Sequence, residues 1–258
     1  MTLFWMRVYP SYPVLAFFFS VDQSTICRNI QEMMVVLLSL TEFAFERPAA
    51  QRKKLSSPQA VMDAFPEVVL VIDGKEQRIE RPKTKKDEQG NTIDTQKPYY
   101  SGKKKCHTQK NEIAVRPSGE VGSVSASYPG GENHDITVTR KNRLLDRLDP
   151  KTEAAMTDSG YEGLDKDYAD LALYQVQKAH RNHPLTSEQK GFNGVLGRYR
   201  IVVEHTLAQM NQFQILAQMY RHPLERHGDI VRVVAGLVNR RIAECPLKTY
   251  EAQLGLSI

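Results

Sequence analysis

Cysteine is scarce in this chain. Its 258 residues include three, Cys27, Cys106 and Cys245, far apart and with no C-x-x-C pair. That excludes a disulfide scaffold and a Cys-based zinc site, and it fits a reducing cytoplasm. Long apolar runs are lacking as well. Residues 3–19 are apolar, but Arg7, Pro10 and Pro13 interrupt them. No stretch reaches the roughly 18 apolar residues of a membrane helix. No charged leader and small-residue cleavage site frame a signal peptide. The expectation is a soluble, cytoplasmic chain with no membrane partner. Histidine offers little metal chemistry: His180 and His183 are three apart and His222 and His227 five apart, without a third ligand or a zinc signature. What is present is ordinary globular usage, 41% hydrophobic and 25% charged. It excludes a wholly disordered chain, a coiled-coil rod and a collagen. The length suits one large domain, or one domain with a small companion.

Net charge is only +5, but its distribution is informative. Residues 75–110 carry eleven Lys/Arg against five acids, a net of +6, so the rest of the chain carries −1. A patch of this kind suits a polyanion. The alternative is a solvated loop.

Hydrophobic patterning suggests an α/β chain preceded by helices. Residues 1–45 read helical, with a polar break at Ser20-Val21-Asp22 and Asp22 as N-cap of the second run. Residues 46–66 read as a linker, with a short helix at Ala60–Phe65. Val68–Ile72 is a continuous β-branched and apolar run that reads as a buried strand ending in an Asp73-Gly74 turn. Residues 83–106 read as loop, and Thr108–Val115 and Val121–Tyr128 as a hairpin about Pro117-Ser118-Gly119. Asp135 is placed as the cap of a helix through Leu148. Short strands are expected at Ala154–Thr157 and Gln175–Ala179, a long helix at 187–211 and another near 230–244. The pattern predicts a mixed sheet flanked by helices.

Three carboxylates stand out. Asp73 and Asp158 each end an apolar run and precede small residues, as Asp73-Gly74 and Asp158-Ser159-Gly160. Ligands gather at the carboxyl ends of strands, and neighbouring strands lie about 4.8 Å apart, so both could reach one cation. Glu204 sits one position off the helical stripe Leu196, Tyr199, Val203, Leu207 and Met210, with Arg200 at i−4. Hard oxygen ligands of this kind suit Mg²⁺ or Mn²⁺, and two such ions can clamp an in-line phosphoryl displacement. The alternatives are turn aspartates and a surface Arg–Glu pair. His134-Asp135 could also lie near such a site, although helix capping is the better reading. At the N-terminus, Ala16, Ser20-Val21 and Ile26 follow helix-turn-helix spacing, and Ser24, Thr25, Arg28 and Asn29 decorate the second helix. A plain helical hairpin is the alternative.

Together these segments resemble the DDE-type insertion-sequence transposases, more specifically those with Harbinger-like DDE domains. Val71-Ile72-Asp73-Gly74-Lys75-Glu76 with Ile79-Glu80-Arg81-Pro82 is similar to the family's first-aspartate motif. Tyr99–Lys105 with His107-Thr108, and Pro129-Gly130-Gly131 with His134-Asp135, follow in the family's order. Asp158-Ser159-Gly160-Tyr161 resembles the second-aspartate motif and Arg200–Glu204 the glutamate motif. The resemblance implies a ribonuclease-H-like fold and a triad of Asp73, Asp158 and Glu204 holding two Mg²⁺ or Mn²⁺ ions. It implies hydrolysis at an element's end and transfer of the freed 3′-hydroxyl to target DNA. Terminal inverted repeats and target DNA are the implied partners, with a homodimer to pair two ends. Lys103, Lys104, Lys105 and Arg200 would hold phosphates. The implied organisation is a helix-turn-helix module at 1–45, a linker at 46–66, a catalytic domain at 67–245 and a tail at 246–258. Gly197 and Asn211 stand where many relatives carry Tyr and Lys. The apolar start at Leu3-Phe4-Trp5-Met6, where relatives carry a polar segment, predicts an incomplete N-terminal module. The alternative function is a truncated or repurposed, non-catalytic DNA-binding protein, and a third reading is a host nuclease of the same fold.

Overall fold

This computed structural model describes residues 1–40, 67–86, 88–89, 92–179 and 184–244. The expected linker, its short helix, the tail, Cys245 and the His180–His183 pair lie outside the described residues.

The chain opens with three helices, α1 (Thr2–Val8), α2 (Tyr12–Phe19) and α3 (Gln23–Leu40). Ser20 makes the turn between α2 and α3 with left-handed backbone (φ 52°), and the Val21 N–H donates to the Ala16 carbonyl at 3.1 Å. Asp22 accepts from the Thr25 N–H at 2.8 Å, the cap that the sequence predicts. These helices are not set apart from the rest. Trp5, Met6, Leu15, Ile26 and Ile30 are buried in the same apolar cluster as the sheet. Arg221 also fastens α1 from the far end of the chain, its backbone N–H donating to the Tyr9 hydroxyl and its guanidinium to the Tyr9 carbonyl.

The sheet is built on β1 (Val68–Arg78). After a two-residue hairpin of β2 (Lys85–Lys86) and β3 (Thr92–Ile93) come β4 (Tyr100–Ser101), β5 (Cys106–Val115), β6 (Val121–Val124) and β7 (Tyr128–Pro129). Helix α4 (Asp135–Asn142) leads to β8 (Ala154–Thr157), the single-turn α5 (Leu164–Asp167) and β9 (Ala172–Gln175). The long α6 (Ser187–Asn211), short α7 (Gln214–Ala217) and α8 (His227–Glu244) close the chain. Strand order is β4-β5-β1-β8-β9, with β6 and β7 also paired to β5. The β5, β6 and β7 pairings are antiparallel, whereas β1–β8 and β8–β9 are parallel. This mixed sheet, flanked by helices, has the ribonuclease-H-like architecture that the resemblance implies.

Both faces of the sheet are covered, which is why β1 and β8 read as continuous apolar runs. Val71, Ile113 and Met156 pack with Leu196, Val203 and Met210 of α6 and with α8. Leu70, Ile72 and Ala155 pack on the other side with Leu144, Leu145, Tyr161 and Leu164. Helix α6 begins at a capping box in which the Thr186 hydroxyl accepts from the Gln189 N–H and the Gln189 side chain from the Thr186 N–H.

Four expectations need correction. Asp73-Gly74 is not a turn: β1 runs on to Arg78 because β5 continues to pair it, Asp73 opposite Ile113 through Arg78 opposite Thr108. The 83–106 segment is not all loop, since β4 pairs the start of β5. Strand β9 is Ala172–Gln175 instead of Gln175–Ala179. Its parallel partner β8 ends at Thr157, opposite Gln175, and the Gln177 backbone then bonds the Asn193 side chain. Helix α4 stops at Asn142, where Arg143 turns left-handed.

Candidate active site

Strands β1 and β8 run in parallel with Ile72 beside Thr157. The next residue on each chain is an aspartate, so Asp73, still within β1, and Asp158, just past the end of β8, stand side by side, about one strand spacing apart. Here β8 ends while β1 continues, which opens a notch beside Asp73. A pocket of about 100 Å³ fills that notch, lined by Asp73, Gly74, Glu76, Lys103, Lys104, Asp135, Asp158 and Tyr161.

Both aspartates are fixed by local bonds. Asp73 accepts from the Gly74 N–H at 2.7 Å and Asp158 from the Ser159 N–H at 2.5 Å. Burial pushes the Asp73 carboxyl above its usual range. Asp158 and Asp135 add to the rise, while the Gly74 N–H and Arg200 oppose it. Such a carboxylate gains from a positive charge placed beside it.

Glu204 is held differently. It projects from α6 and its side chain is 58% exposed. Arg200, one turn earlier, stands between it and the pocket, 3.2 Å from Asp158 Oδ1 and 3.8 Å from Glu204 Oε1. The structure therefore places Asp73 and Asp158 on one pocket and links Glu204 to Asp158 through a guanidinium. Among the described residues, no three His, Cys, Asp or Glu side chains converge as ready metal ligands. Arg200 separates Glu204 from Asp158, and Lys110 occupies one oxygen of Asp135 at 3.0 Å. The donor chemistry still fits a hard divalent cation. Every acidic donor in the pocket is a carboxylate, and the buried Tyr161 hydroxyl beside them has no hydrogen-bond partner among the described residues.

The basic window divides. Lys103 and Lys104 stand at the mouth of the pocket. They and Lys105 are exposed on the turn between β4 and β5. Lys110 is not available to a polyanion: it is 5% exposed and pairs with Glu76 at 3.2 Å as well as with Asp135. Lys75 is half-buried and donates to the Asn211 side chain; burial, helped by Lys104, lowers its amine to about 8. On α3, Ser24 and Thr25 hydroxyls donate to Asp22, and the Arg28 guanidinium donates to Thr25 at 3.3 Å. Ser24 and Arg28 are exposed, and Thr25 and Asn29 are half-buried.

Sequence reasoning gave Asp135 to helix capping. In the structure its carboxylate pairs with Lys110, and its helix is fastened to the sheet by Glu112, which accepts from Thr139 and from Asn142. The His134-Asp135 pair was the one signal for this placement. Tyr161 belongs to the second-aspartate motif, whereas nothing in the sequence marks Lys110 as a neighbour of the pocket.

A ribonuclease-H-like sheet with paired aspartates where β1 and β8 part, and a glutamate on the following long helix, defines the class of DDE nucleases. The family comparison agrees: residues 72–239 match the DDE superfamily endonucleases, and the chain belongs to that family. It is also 26% identical over 246 residues to a probable transposase for insertion sequence element IS702 from Microchaete diplosiphon, covering 94% of this chain and 79% of that relative. No solved structure matches the chain significantly.

Proposed function

We propose that this chain is the transposase of an insertion sequence, and that Asp73, Asp158 and Glu204 are its catalytic carboxylates. The observation that carries the reading is the placement of Asp73 and Asp158 at one notch of the sheet, with Lys103 and Lys104 at its mouth. The reaction is hydrolysis of a phosphodiester at the element's end, followed by attack of the freed 3′-hydroxyl on target DNA. Asp73 and Asp158, with Glu204, would hold Mg²⁺ or Mn²⁺. Bound there, two such ions supply the Lewis acidity for in-line phosphoryl displacement. Lys103, Lys104 and Lys105 hold the DNA backbone beside the pocket, and Arg200 contacts a phosphate there. Ser24, Thr25, Arg28 and Asn29 present α3 to the element's inverted repeat. Pairing two ends calls for a homodimer, acting in the cytoplasm. Among the described residues no helix is long and apolar enough to cross a membrane.

The test is strand cleavage and transfer on element-end DNA with Mg²⁺. Wild-type chain cuts, and Asp73→Ala does not; full activity in Asp73→Ala overturns the assignment. One observation favours a second reading, a non-catalytic DNA-binding protein: Glu204 is largely exposed and separated from Asp158 by Arg200. On that reading the wild-type chain binds element-end DNA and never cuts it.

A further inference from the structure

The carboxylate of Asp135 is lodged between the glycines that follow the two aspartates. A Cβ at Gly74 would stand 2.3 Å from Asp135 Oδ1, and a Cβ at Gly160 would stand 3.3 Å from Oδ2. A side chain at Gly74 would have to push the Asp135 carboxylate aside, and the contact at Gly160 is tighter than ordinary packing. The glycines of Asp73-Gly74 and Asp158-Ser159-Gly160 therefore leave room for a third acid in its present position. Neither glycine has a left-handed backbone, so turn conformation does not explain them.

The fold also works to bring Asp135 in. Helix α4 begins at Asp135, and Glu112 of β5 binds α4 one and two turns further along, at Thr139 and Asn142. Lys110 of β5, two residues earlier, bridges Asp135 Oδ1 to Glu76 of β1. These bonds use Oδ1 and leave Oδ2 on the Gly160 side. An independent observation marks the same place as a polar site. Tyr161 is 1% exposed and lines the pocket, and its hydroxyl has no hydrogen-bond partner among the described residues. A buried hydroxyl left unbonded is unfavourable, so a polar group bound beside it would gain a partner.

The geometry points to Asp135 as a further oxygen ligand of the divalent cation held by Asp73 and Asp158, with Lys110 as the positioning residue that orients it. The inference rests on the reading of Asp73 and Asp158 as cation ligands. It assigns a role to the Pro129-Gly130-Gly131…His134-Asp135 segment, which the triad leaves without one.

The experiment is Mn²⁺ binding to the full chain in the absence of DNA, followed by electron paramagnetic resonance of the free ion. Asp73→Asn serves as reference, and Asp229→Asn, on the surface far along the chain, as control. Asp135→Asn is expected to weaken Mn²⁺ binding by roughly 10–100-fold, comparably to Asp73→Asn. Asp73→Asn weakened while Asp135→Asn stays within about twofold of wild type overturns the inference and leaves the Asp73–Asp158 reading standing. Both variants binding like wild type overturns the two together. Should Asp135→Asn fail to fold by circular dichroism, Asp135→Ala, which removes the carboxylate without adding bulk, is measured in its place. Mn²⁺ binding weakened by at least about tenfold supports the ligand, and binding within about twofold of wild type overturns it.

Discussion

Gly74 shows how one missing side chain shapes the site. Its backbone occupies an ordinary strand conformation, opposite Glu112 of β5. It is glycine because the Asp135 carboxylate fills the space a Cβ would take. Gly74→Ala must push the Asp135 carboxylate out of that space. The expected outcome is a loss of about 1–3 kcal/mol in urea melts together with loss of DNA cleavage. A fully stable, active variant would show that Asp135 is not wedged there. The sequence makes Asp73 visible, because it ends a conspicuous apolar run. It also misleads, because Asp-Gly is a common turn pair and the chain here stays in the sheet. Asp135 is hidden for a different reason. Its partners lie 25 and 61 positions away, on Lys110 and Gly74, and no local pattern carries that contact.

At the scale of elements, β5 is a strand where Thr108–Val115 predicts one, but its burial does not follow from hydropathy. Thr108, Gln109, Lys110, Asn111 and Glu112 are polar, yet all five are buried. Most of their polar groups meet partners: Lys110 meets Glu76 and Asp135, Asn111 meets Ser125 and Ser127, and Glu112 meets Thr139 and Asn142, whereas the Gln109 side-chain oxygen has no hydrogen-bond partner among the described residues. Hydropathy shows the burial of apolar strands such as β1 and β8, and it cannot show the burial of a polar run held by pairing. The long α6, by contrast, is legible to the residue, since its capping box and its apolar stripe both act locally. The turn from β4 to β5 makes its own prediction. If Lys103, Lys104 and Lys105 hold phosphates, changing all three to Ala lowers DNA affinity uniformly across sequences. The slope of log K against log[salt] then falls by about 0.9 for each phosphate no longer neutralised. An unchanged slope in a filter-binding titration would remove this turn from the interface.

For the molecule as a whole, α1–α3 share one core with the sheet, α6 and α8. The packing is completed by a buried polar chain running from Asn111 through Ser127 and His227 to Gln77. Burial lowers the His227 imidazole to about 4, with Lys75 adding to the effect, and burial likewise lowers His222 to about 4. Unfolded histidine titrates near 6.5. The unfolded chain therefore binds more protons than the folded one between about pH 4 and 6.5. The stability these neutral histidines contribute is fully present above that window and is lost as pH falls through it. Urea melts from pH 4 to 7 should show the loss. His227→Gln should reduce the slope by up to about 1.4 kcal/mol per pH unit. An unaltered slope would mean that His227 is charged in the folded chain.

The central claim is that Asp73, Asp158 and Glu204 act as one centre although Arg200 stands between two of them. Cleavage of element-end DNA by Asp73→Asn, Asp158→Asn, Glu204→Gln and their pairs tests it most directly. Groups that work as a unit are not additive, so each single variant should fall to background and no pair should fall further. Glu204→Gln cutting at the wild-type rate would contradict the account.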